Sequence, residues 1–173
     1  MRPYIPRLLL PLLLLALPWP VAAQVVATFY SHEFGEHFPH AFFILKGKTI
    51  AEGTPVDINY GFTPKSVTPA ILFGSVAGRL DTADARYIAQ SDPQFAVTLS
   101  DAQYRAMLAV VERWRTRKSP SYNLNNANCV HFVGEAAQAA GLKVTFPKAL
   151  MKKPRSYLQS LIALNPQVTI IKG

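Results

Sequence analysis

The amino-acid sequence predicts an α+β domain in which a central antiparallel sheet packs against a cysteine-bearing helix and further helices. Three observations predict it. Short β-branched and aromatic runs dominate the chain from Val25 to Leu99, two of them joined as a hairpin. Helical patterns with start and stop signals follow, from Ser100 and from Asn128. The only cysteine, Cys129, falls in the first turn of the second of these helices.

Residues 1–23 read as a secretory signal peptide rather than as part of the fold. Arg2 and Arg7 give a positive start, Leu8 to Leu17 is almost unbroken leucine, and Val21-Ala22-Ala23 supplies the small residues of a cleavage site. The apolar run is short for a membrane span. Residues 24–173 are then expected to form one domain, secreted or periplasmic, long enough to bury a core. The net charge of +8 remains positive once Arg2 and Arg7 are removed. That suits an anionic cell envelope, peptidoglycan or lipid, and peripheral contact with an anionic membrane surface. The charges are not tiled with aromatics, so nucleic acid is not an expected partner.

The elements follow in order. Val25-Val26-Ala27-Thr28-Phe29-Tyr30 reads as a first strand. His40-Ala41-Phe42-Phe43-Ile44-Leu45 is apolar on both faces, as expected of a central strand, with His40 as its one polar side chain. Val56 to Phe62 alternates: Val56, Ile58, Tyr60 and Phe62 share one face, and Asp57, Asn59 and Gly61 the other. Ala70–Gly74 is ambiguous between helix and strand. Ser75–Leu80 and Phe95–Leu99 read as strands, and Ala83–Gln90 as a helical turn. Ser100 and Gln103 form a capping box for a helix to about Arg117 that buries Tyr104, Met107, Leu108, Val111 and Trp114. The cations Arg113, Arg115, Arg117 and Lys118 gather where the helix dipole favours them. The Cys129 helix runs to Ala140 and stops at Gly141. A strand or link over Leu142–Phe146, a basic loop, a helix over Arg155–Leu164 and an extended Val168–Ile171 complete the chain.

A lone cysteine cannot form an internal disulfide, and at a helix N-terminus it sits where a thiolate is favoured. Catalysis by Cys129 needs a base and a group to orient that base. His131 lies two residues on, about 200° around the helix, so its side chain faces elsewhere. It reads as a partly buried helix residue with a hydrogen-bonded ring. His40, at the start of a rigid strand, is the better base. The neighbouring strand offers Asn59, or alternatively Asp57, as the orienting group, though an ordinary polar outer face explains both equally well.

The cluster His32, Glu33, Glu36, His37 and His40 raises the question of a metal. His32 and His37 are five apart, and Gly35 and Pro39 interrupt any helix, so the zincin spacing is not met. A loop-built zinc site stays open, loop histidines lining a cleft being the plainer account. No metal and no cofactor is assigned.

A strand opening on His40, a following strand with a polar residue, and Tyr122 leading into Asn128-Cys129-Val130-His131-Phe132 resemble the circularly permuted papain-like superfamily. That group includes the lecithin–retinol acyltransferase-like proteins and the permuted relatives of NlpC-type peptidases. The resemblance spans roughly residues 25–141 and is most specific around Cys129. It implies a permuted papain-like fold and a cysteine-dependent hydrolase or acyltransferase. Cys129 would be the nucleophile, His40 the base and Asn59 the orienting residue. Val130 stands where the acyltransferase branch usually has an acidic residue, and no histidine lies on the Asp57–Phe62 strand. The alternatives from other classes are a non-catalytic envelope binding module on the same fold and a histidine-rich metal-binding protein.

Overall fold

The computed structural model describes residues 24–33 and 38–171. The signal peptide expected over residues 1–23 lies outside them, as do Glu36 and His37.

The apolar alternating runs become strands: β1 (Val25–His32), β2 (His40–Lys48), β3 (Pro55–Pro64), β4 (Val76–Asp81) and β5 (Asp92–Leu99). Two short strands, β6 (Ser121–Tyr122) and β7 (Thr169–Ile170), close the edges. Among the described residues these form one antiparallel seven-stranded sheet in the order β6-β4-β3-β2-β1-β5-β7. The strand opened by His40 is therefore the central one, as its apolar composition predicts. Its hairpin with β3 pairs Phe42 with Gly61 and Ile44 with Asn59.

Five α-helices accompany the sheet in the described chain: α1 (Ala70–Phe73), α2 (Ala85–Ala89), α3 (Asp101–Arg115), α4 (Cys129–Ala139) and α5 (Pro154–Leu164). The architecture is thus mixed α+β. The ambiguous segment after Pro69 resolves as the short α1. Leu142–Phe146 is an extended link, not a strand.

The predicted capping box is present, with Ser100 and Gln103 bonded to each other's backbone N–H. The buried face of α3 is Met107, Val110, Val111 and Trp114, while Tyr104 and Leu108 sit at its margin. Gly141 takes φ 87°, the left-handed conformation that ends α4 cheaply.

One face of the sheet is sealed by α3, α4 and α5. Phe43 of β2 stacks on Phe132 of α4, and Phe62 of β3 meets Trp114 of α3 edge-on. Glu135 of α4 accepts from the Trp114 indole and pairs with Arg113 and Arg117. The cation cluster at the end of α3 therefore ties two helices together. Burial of these aromatics outweighs the half-exposed ion pairs, each worth about 0–1 kcal/mol.

Candidate active site

Side chains alternate along β2, so one strand serves two environments. Ala41, Phe43 and Leu45 are fully buried beneath the helices. His40 and Phe42 face the other way, into a cleft of about 240 Å³ also lined by Phe38, Gly61, Asp81, Tyr87 and Tyr122. Phe42 stacks on Tyr30, and His40 stacks on Phe42 and meets Tyr87 edge-on. These aromatic contacts hold the imidazole in a fixed plane.

Gly61 makes room for that ring. A Cβ there would collide with Nε2 of His40. The row across the sheet runs Phe42–Gly61–Asp81, and paired residues of antiparallel strands share a face. Asp81 thus stands on the His40 side of the sheet, beyond the gap left by glycine. It accepts from Arg79 and from the backbone of Thr82.

Cys129 is the first residue of α4. The preceding Asn128 has extended backbone and caps the helix, its Oδ1 accepting from the N–H of Val130 and of His131. Its Nδ2 donates to the carbonyls of Leu124 and Met151. The backbone N–H groups of Cys129 and Val130, at the helix N-terminus, lie close enough to the thiol to favour its charged form. The Tyr122 hydroxyl donates to Sγ at 3.7 Å. The backbone N–H of Ala41, the residue after His40, also favours the charged form of the thiol. Tyr122 thus joins the two parts of the site: its hydroxyl donates to the sulfur, and the residue lines the same cleft as His40.

The thiol is only 2% exposed, and it is not among the residues that line the cleft; the sulfur lies behind Tyr122. Burial pushes the Cys129 pKa up, and the donors from Ala41, Tyr122, Val130 and its own backbone only partly oppose this. The sign expected for a thiol at a helix N-terminus is thus reversed: desolvation exceeds the favourable dipole, and the resting group is a thiol. His40 is pushed down to about 4, first by burial and then by His32, with the Asp81 charge opposing. The resting pair is neutral thiol and neutral imidazole, not thiolate and imidazolium.

The other predicted residues separate. Asn59 lies opposite Ile44, four residues along β2 from His40. Its amide accepts from the N–H of Ala83 and donates to the Ala83 carbonyl, fixing the loop before α2. Asp57 forms an exposed ion pair with Lys46. Electrostatically, the carboxylate acting on His40 is Asp81, which sequence reasoning passed over because its place depends on β3–β4 pairing. Tyr122 was noticed only as part of the approach to Cys129.

His131 has its Nδ1 2.9 Å from Asn128 Oδ1 and stacks on Phe146, so its ring is used structurally. Nδ1 of His32 lies 3.1 Å from Ser91 Oγ, and the His32 ring stacks on Tyr87. Among the described residues, no group of three or more His, Cys, Asp or Glu side chains is arranged to hold a metal ion. In comparisons with protein families, curated proteins and solved structures, nothing matches the chain.

Proposed function

We propose that the chain is an exported cysteine hydrolase or acyltransferase on a permuted papain-like scaffold. Cys129 is its nucleophile and His40 its base. One observation carries this reading: the Tyr122 hydroxyl donates to the Cys129 sulfur, and Tyr122 lines a cleft together with His40. A buried cysteine kept only for packing needs neither a hydroxyl partner nor a neighbouring cleft.

With both groups neutral at rest, His40 takes the thiol proton as sulfur attacks the carbonyl carbon of an amide, ester or thioester. The Tyr122 hydroxyl turns from the sulfur to the developing oxyanion, which the Cys129 N–H also meets. Asp81 stabilises the imidazolium formed in this step. His40 then returns the proton to the leaving group, and water or another acceptor resolves the acyl-enzyme. The leader expected over residues 1–23 and the basic charge favour an envelope substrate, a peptidoglycan peptide or a lipid acyl group.

A second reading has a specific observation behind it. The slight exposure of Cys129 fits a non-catalytic binding module that uses the same cleft.

The test is turnover of a panel of activated esters, thioesters and peptide amides by the mature chain and by Cys129→Ala. The proposal expects turnover by the parent and none by the variant, with an acyl adduct on the Cys129 peptide by mass spectrometry. An alanine variant with full turnover would make the reading wrong.

A further inference from the structure

Leu72 and Phe73 are 66% and 88% exposed at the tip of α1, and Val67 is 62% exposed where the same connector borders the cleft. Large side chains this exposed, grouped on one connector, call for a partner. Hydrogen bonds link this connector to a second segment, and that segment to a third. Asn123 donates to Ser75 Oγ, joining the connector to the turn before α4. Asn128 bonds the carbonyls of Leu124 and Met151, joining that turn to the loop before α5.

The loop before α5 carries Lys148, Lys152 and Lys153, all exposed, and the connector carries Lys65. No Asp or Glu occurs between Thr63 and Leu80, between Thr116 and Gly134, or anywhere after Glu135. These three segments thus carry no carboxylate; the cleft beside Val67 does hold Asp81, paired with Arg79, and Asp84, which caps α2.

We infer that these three segments dock on an anionic lipid bilayer, with Val67, Leu72 and Phe73 entering the interface and Lys65, Lys148, Lys152 and Lys153 facing the headgroups. Exposed apolar side chains on a connector that carries a cation and no carboxylate, linked to a lysine-rich loop, match a bilayer surface; a protein groove would require no particular charge. The polyanion of the cell wall supplies charge but nothing for Leu72 and Phe73 to enter. Docking would bring the cleft mouth at Val67 against the membrane. This inference rests on the export part of the proposed function and is independent of the thiol chemistry.

The experiment is flotation of the purified mature chain with vesicles of phosphatidylcholine, alone or mixed with phosphatidylglycerol, and co-sedimentation with isolated peptidoglycan. Binding is expected to the mixed vesicles and to weaken as salt is raised. Leu72→Asp combined with Phe73→Asp should reduce the partition more than about tenfold. Lys148→Gln, Lys152→Gln and Lys153→Gln together should reduce it about a hundredfold. Ile50→Asp, an exposed control on the β2–β3 hairpin, should leave it unchanged. Absence of vesicle binding, equal binding by the Leu72/Phe73 variant, or binding to peptidoglycan alone would each overturn the inference. Because the substituted side chains are exposed, a circular dichroism melt suffices to verify folding. Turnover of a soluble ester reports the thiol chemistry separately, so either reading can fail while the other stands.

Discussion

The two faces of β2 are built from the same strand and behave oppositely. Toward the helices it presents Ala41, Phe43 and Leu45, which are fully buried and packed against Phe132 and its neighbours. Toward the cleft it presents His40 and Phe42, among aromatic rings and near Asp81. The sealed face fixes where Cys129 sits, and the open face fixes where His40 sits. What joins them is Tyr122, whose hydroxyl donates to the sulfur and which lines the cleft with His40. The comparison teaches that the packing core and the candidate chemistry share one rigid element, so geometry at the site is inherited from the core.

That view is broken most severely by removing the groups themselves. Cys129→Ala should reduce turnover to background, at least about 10⁴-fold, while costing about 1–2 kcal/mol of stability for the small cavity left. His40→Ala should cost about 10²–10⁴-fold in kcat. Gly61→Ala is the sharper form of the same test, because it leaves both groups present and only displaces the ring that Gly61 accommodates. It should approach the His40→Ala loss with α4 still folded, as read by circular dichroism and kinetics.

Tyr122→Phe keeps the buried ring and removes one hydroxyl. A loss of about 10²-fold in kcat is expected for one missing oxyanion donor. If Tyr122 serves packing alone, kcat will not move.

Sequence marked these elements unequally. The strands β1 to β5, the capping box of α3, Cys129 in the first turn of α4 and the His40 strand were legible because each is a local pattern of spacing or alternation, whereas β6, formed by Ser121 and Tyr122 within a turn-rich segment, was not. The partner of His40 was not. Asn59 and Asp81 both lie on the His40 side of the sheet, and only the registers β2–β3 and β3–β4 decide which stands near the ring. Register is set by the hairpin loop between β2 and β3 and by nonlocal packing, which no single segment encodes. The direction of the Cys129 pKa was misjudged for a related reason. The helix terminus is a local feature, whereas burial by Tyr122 and β2 is assembled from distant segments.

Acid offers a test that separates the two faces without mutating the core. The folded pKa of His40, about 4, lies below its unfolded value of 6.5. Between these values the unfolded chain binds more protons, so this group makes stability fall as pH drops from about 6.5 to about 4. His40→Gln should flatten that part of a denaturation-versus-pH profile. Asp81→Asn should steepen or extend it, since loss of the opposing charge lowers the His40 pKa further.

The smallest effect is assigned to Asn59. Asn59→Ala loses two hydrogen bonds to Ala83 and should destabilise by about 1–2 kcal/mol. With Asp81 as the group acting on His40, kcat of the folded Asn59 variant should change little, whereas Asp81→Asn should lower it at least about tenfold. The reverse ranking would restore Asn59 to the orienting role.

The central claim, that His40 activates Cys129 across the end of β2, is tested most directly by the rate of Cys129 alkylation by iodoacetamide against pH in the parent and in His40→Ala. The account predicts that the parent keeps a His40-dependent rate well below the pH where an ordinary thiol ionises, about 8.5. The variant should retain only the rise at high pH that a buried, raised-pKa thiol gives. Superimposable profiles for the two proteins would contradict it.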